Sequence, residues 1–138
     1  MQILITGITG SGASYLAEYF IFNHPNIEVH GLSRWHSTSS PKNLSKIYNQ
    51  LRLHECDLND LSATIRVLKE IKPDYIFHLA SHANVSVCFS NPIAVLQNNI
   101  NCTINLFEAI RLLELDPIVE HCSTSELYGQ ITKQDCPI

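Results

Sequence analysis

Apolar and polar positions along this chain fall into blocks, each with the length and period of one element. Ile3, Leu4 and Ile5 are a short continuous apolar run, as expected of a strand buried on both faces. Ala13, Leu16, Ala17, Phe20 and Ile21 then recur on one helix face until Asn23, His24 and Pro25 stop it. Ile27 to Leu32 reads as a second strand, and Ser33 to Pro41 as a polar, serine-rich loop. Leu51 to Cys56 alternates as an edge strand would. Asp60 can cap a helix that carries Leu61, Ile65 and Leu68 on one face and ends before Pro73, and Tyr75 to Ala80 supplies a fourth strand.

Asn91-Pro92 opens a long helix. Its apolar residues, Ile93, Leu96, Ile104, Leu106, Phe107 and Leu113 among them, surround much of the circumference, so one sheet contact would not bury them all. A second subunit is the expected cover, which makes the chain a homo-oligomer. Ile118 to Ser123 is a fifth strand, and Thr124 to Gly129 turns the chain away from the sheet. Strands alternating with helices predict an α/β fold, a doubly wound parallel sheet of the Rossmann type. There is no internal repeat, and the one biased stretch, His36 to Ser40, is a loop; residues 1–138 read as one continuous domain.

Composition narrows the function classes. In 138 residues, 45% are hydrophobic and 16% charged, which excludes a disordered chain. Thirteen acidic against nine basic side chains give a net charge of -4 with no Lys/Arg cluster, so nucleic acid is not the expected partner. No apolar run approaches the roughly 20 residues of a membrane helix. Met1 to Thr6 lead straight into a motif without a basic leader, so a soluble cytoplasmic protein is expected. Five cysteines without a Cys-x-x-Cys pair read as reduced thiols. His78 and His82, four apart at the end of a strand, do not have the helical spacing that brings two rings together, and no metal site is expected.

The segment Thr6-Gly7-Ile8-Thr9-Gly10-Ser11-Gly12-Ala13 lies between the first strand and its helix, where backbone N–H groups and the helix N-terminus can face a pyrophosphate. Gly7, Thr9, Gly10, Ser11 and Gly12 are therefore candidate dinucleotide ligands. A P-loop is excluded because no lysine occurs before Lys42. Ala13 replaces the last glycine of the spacing, at a position that needs only a small side chain. After the second strand, His30 to Lys42 contains no Asp or Glu to hold an unmodified ribose but does contain Arg34, which favours NADP with NAD as the lesser option. Arg34 is read either as a ligand to the 2′-phosphate or as a solvated loop cation.

These motifs, with Asp57-Leu58 after the third strand, Leu79-Ala80 after the fourth and Ser123-Thr124-Ser125-Glu126-Leu127-Tyr128-Gly129 after the fifth, resemble the extended short-chain dehydrogenases. This is the NAD(P)-dependent epimerase/dehydratase family, and the order of Ser14-Tyr15-Leu16-Ala17-Glu18, Val29-His30-Gly31 and Glu108-Ala109-Ile110-Arg111 is most similar to its branch acting on GDP-mannose. The resemblance implies that Asp57 meets the adenine amino group and Leu58 its ring, and that Leu79, Ala80 and Ser81 line the path to the nicotinamide. Asn99 matches a buried asparagine of the family. Residue by residue the plainer readings are a cap at Asp57, strand packing at Leu79 and Ala80, and a satisfied core amide at Asn99.

For catalysis the resemblance implies that Thr124 hydrogen-bonds the sugar 4-hydroxyl during oxidation and that Glu126 removes the proton at carbon five, so that water leaves from carbon six. An acid at Glu126 speaks for a dehydratase over an epimerase. The plainer reading of Ser-Thr-Ser-Glu is a turn or helix cap. Ala83-Asn84 and Cys88 stand where the branch has Ser-His and serine, which leaves the substrate open; a nucleotide-sugar epimerase or reductase of the same superfamily and, given the truncation, a noncatalytic NADP-binding module are the alternatives. The family's Tyr-x-x-x-Lys does not occur: Tyr48 is followed by Arg52 and Tyr128 by Thr132. The expectation is a sheet truncated after about five strands, without the carboxyl-terminal substrate domain and inactive alone.

Overall fold

A computed structural model of the chain describes residues 1–35 and 42–136; the biased stretch His36 to Ser40 lies outside them. Five parallel strands form one sheet in the order β3-β2-β1-β4-β5: β1 (Gln2–Thr6), β2 (Glu28–Ser33), β3 (Arg52–Glu55), β4 (Tyr75–His78) and β5 (Ile118–His121). The helices are α1 (Ser11–Asn23), α2 (Leu61–Ile71), α3 (Val85–Ser90) and α4 (Pro92–Leu112).

Because successive strand residues face opposite ways, β1 feeds two cores. Ile3 and Ile5 pack with Ala13 and Ala17 of α1, Val29 of β2, and Leu44 and Ile47. Leu4 packs on the other face with Val67 and Leu68 of α2 and Leu106 and Ala109 of α4. Register ties the carboxyl ends together, Thr6 pairing with Leu32 on one side and His78 on the other. As expected, β3 is an edge strand, with Leu53 exposed. Asp60 caps α2, its Oδ1 accepting the Ser62 and Ala63 N–H at 2.8 and 3.2 Å, and Lys72 closes the helix with φ of 48° before Pro73.

Strand boundaries differ from the expectation, with β2 running Glu28–Ser33 and β3 Arg52–Glu55, and one helix is new. β4 ends at His78 and β5 at His121, two residues early in each case, because the strand-ending residues leave the sheet to line its carboxyl edge. The short α3 was not expected at all; the Asn84 side chain accepts the Val87 N–H at 3.2 Å to start it. Along α4, Val95, Cys102, Leu106 and Ala109 are buried, while Ile93, Leu96, Ile100, Ile104 and Phe107 are exposed.

Candidate dinucleotide site

The topological switch of this sheet lies between β1 and β4, where open α/β folds bind ligands. The turn after β1 is shaped by two close approaches. Gly7 has φ of +66°, and a Cβ there would stand 2.9 Å from the Cα of Ala80, so only glycine lets the turn lie on the end of β4. Gly31 of β2 admits Ile8, whose Cγ1 would be 2.6 Å from a Cβ at that position. Gly10 is the N-cap of α1, with no side chain capping the helix and no acid in its first turn. The free N–H end thus faces outward with its partial positive charge uncompensated by protein. Over Gly12 the space is open: a Cβ would meet only Leu79 Cδ2, at 3.8 Å.

Above this turn is a cleft of about 360 Å³. Gly7, Thr9, Gly10, Ser11, Gly12, Arg34, Asp57, Leu58, Leu79, Ala80 and Ser81 all line it. The structure therefore brings together eleven of the twelve positions singled out in the sequence for the cofactor. The twelfth, Asn99, is elsewhere. Its Oδ1 accepts the His82 N–H at 2.7 Å and its Nδ2 donates to the His82 carbonyl at 3.2 Å, so its amide holds the loop after β4 from behind. This is the geometry of a satisfied amide, and Asn98 lines the cleft in its place. Asp57 both lines the cleft and serves its own turn, accepting the backbone and side-chain N–H of Asn59 at 2.9 and 3.0 Å. Arg34 reaches across the mouth and donates to His82 Nε2 at 3.3 Å. At the floor, burial pushes the Cys56 and Cys102 thiols up, which keeps them neutral.

A polar network that the sequence reading missed sets the far wall. Thr6 Oγ1 accepts the N–H groups of Leu79 and Ala80 at 3.1 and 3.0 Å, leaving its hydrogen to donate to His78 Nδ1 at 2.8 Å. His78 then carries its proton on Nε2 and donates to Thr103 Oγ1 at 3.2 Å, whose own hydrogen goes to the Asn99 carbonyl at 3.0 Å. Burial, with a smaller contribution from the stacked His121 ring 5.3 Å away, holds the pKa of His78 down to about 4. His78 is thus a neutral brace between β1, β4 and α4. His82, four residues on, points toward Arg34 instead, so the two rings do not meet.

A second recess, about 640 Å³, adjoins the cleft through Ala80 to Ala83 and is lined farther out by Asn99, Thr103, Ser123 and Thr124. Thr124 is exposed there, and its Oγ1 accepts the Glu126 N–H at 3.3 Å, capping a 3-10 turn over Ser125–Tyr128. Glu126 is exposed on that turn and lines neither cavity. Among the described residues no group of three or more His, Cys, Asp or Glu side chains is placed to hold a metal. No helix among them is long and apolar enough to cross a membrane.

Comparison with known proteins places this geometry. The chain is 38% identical to GDP-mannose 4,6-dehydratase of Vibrio cholerae over 94% of its own length, and 31% identical to the human GDP-mannose 4,6 dehydratase over 93%. It spans 37% of the length of each of these relatives. Among solved structures it superposes with a TM-score of 0.82 and 25% identity on the dTDP-glucose 4,6-dehydratase DesIV of Streptomyces venezuelae with NAD and TYD bound, covering 96% of this chain and 42% of that one. The UDP-glucose 4-epimerase of Thermus thermophilus in complex with NAD gives 0.79 at 25% identity, over 96% of this chain and 41% of the epimerase. The family model of GDP-mannose 4,6 dehydratase matches residues 4–137, and the chain belongs to that family.

Proposed function

We propose that residues 1–138 form the NADP-binding domain of a GDP-mannose 4,6-dehydratase working in the cytosol. The observation that carries this reading is the single cleft that gathers the glycine turn, the open helix end, Arg34, Asp57 and the Leu79–Ser81 turn. Its residues fit the cofactor: backbone N–H groups for a pyrophosphate, and Arg34, in a stretch after β2 that itself carries no Asp or Glu, for a 2′-phosphate. Held by the glycine turn and the Leu79–Ser81 turn, the dinucleotide would supply reversible hydride transfer for the oxidation at sugar carbon four and the reduction at carbon six. Relatives and structural neighbours act, by their names, on GDP-mannose, dTDP-glucose or UDP-glucose, which supports a nucleotide sugar as substrate.

Thr124, which lines the adjoining recess, would hydrogen-bond the sugar 4-hydroxyl. The Glu126 carboxylate would remove the proton at carbon five once the neighbouring ketone has made it acidic. The 138 residues hold no Tyr-x-x-x-Lys, so the tyrosine and lysine of the full reaction must come from outside them. Self-association through the outer face of α4 belongs to the same proposal.

A chimera tests it, with residues 1–138 replacing the matching segment of the Vibrio cholerae relative. The expected result is conversion of GDP-mannose to a 4-keto-6-deoxy sugar, with Glu126→Gln suppressing dehydration more than the first oxidation. A chimera that binds NADP but only epimerises its sugar at carbon four would contradict the dehydratase reading.

A further inference from the structure

At the outer end of the cleft the carboxyl ends of β2 and β3 open a recess of about 500 Å³. Arg34, Trp35, Glu55, Asp57 and Arg66 form its walls, and it shares Arg34, Cys56 and Asp57 with the glycine cleft. Arg66 stands on α2 between residues that anchor that helix in the core, since Ala63, Val67 and Leu68 are all buried. The side chain itself is exposed, and none of the salt bridges among the described residues engages it. Trp35, the single tryptophan of the chain, is also largely exposed.

We infer that Arg66 is a second specificity-determining residue for the cofactor, a guanidinium that grips the 2′-phosphate beside Arg34, with Trp35 walling the adenosine. The inference rests on the dinucleotide reading of the cleft and extends it. Adenosine ribose lies at the end of β2 in sheets of this order, which is where the cleft and the recess meet. Arg34 is shared between the two spaces and already spans toward His82, whereas Arg66 faces the outer recess alone. Glu55, the last residue of β3, puts a carboxylate in the same recess and would repel a phosphate. With Asp57 turned to Asn59, a second guanidinium is what leaves the recess attractive to a phosphate dianion despite Glu55. The planar fork suits phosphate oxygens better than a lysine ammonium would.

The test uses adenosine 2′,5′-bisphosphate and adenosine 5′-monophosphate, which differ only by the 2′-phosphate, and reads Trp35 fluorescence alongside calorimetry. The unaltered chain is expected to bind the bisphosphate more tightly and to change its tryptophan emission on binding. Arg66→Ala should lose about tenfold in affinity for the bisphosphate, a charge-assisted contact, with the monophosphate changed less than twofold. Arg66→Lys should fall between, and Glu55→Gln should tighten the bisphosphate selectively. If the unaltered chain prefers the bisphosphate but Arg66→Ala weakens both ligands equally or neither, the role of Arg66 is refuted while the cleft assignment stands. If the unaltered chain shows no preference, or binds neither ligand, the NADP reading fails and the inference with it.

Discussion

Thr6 shows how a small residue can determine a site. Its hydroxyl accepts two N–H groups from the turn after β4 and donates to His78, and so clamps Leu79 and Ala80 against Gly7. A methyl group at Gly7 would meet that clamped backbone in an unfavourable φ region. Gly7→Ala is therefore expected to destabilise the chain by about 2–4 kcal/mol, read from denaturant unfolding. His78 gives the clamp a pH dependence. Its folded pKa, about 4, is below the ordinary 6.5, so the unfolded chain takes up a proton first as the medium acidifies. The contribution of this residue is complete above about pH 6.5 and is lost as pH falls toward 4. The unfolding midpoint should drop across that window, and His78→Gln should flatten the drop. The glycines were legible because the motif names them, whereas the clamp made by the Thr6 hydroxyl was not. The role of His78 was not, since the strand pattern says that a residue is buried but not which hydroxyls its ring will meet.

At the scale of elements, the long apolar blocks were read correctly because buried parallel strands and amphipathic helices have distinct periods. The short α3 escaped because Val85, Val87 and Phe89 alternate with polar residues in the strand manner. The Asn84 cap was the one available signal for a helix there. Helix α4 was legible in both its faces: Leu106 and Ala109 seal it to the sheet, and Ile100, Ile104 and Phe107 leave an exposed apolar stripe outside. Stripes of this kind associate. Sedimentation at several concentrations is expected to show self-association that Ile104→Asp weakens. A monomer at every concentration, unaltered by Ile104→Asp, would contradict the interface.

Across the whole molecule, the strand order converts scattered sequence positions into one surface. Residues 7–12, 34, 57–58 and 79–81 are far apart in the chain but all follow strand ends, and a parallel sheet brings its strand ends to one edge. This explains why the lining of the cleft was readable from the sequence. Glu126 was harder to place, because it lies on a turn after the edge strand with no neighbouring element to fix its direction. The most direct test of the account is calorimetric titration of the chain with NADP and with NAD at one ionic strength. The account predicts tighter binding of NADP, with the preference diminished in Arg34→Ala. Equal or tighter binding of NAD, or an Arg34→Ala chain that keeps the full preference, would contradict it.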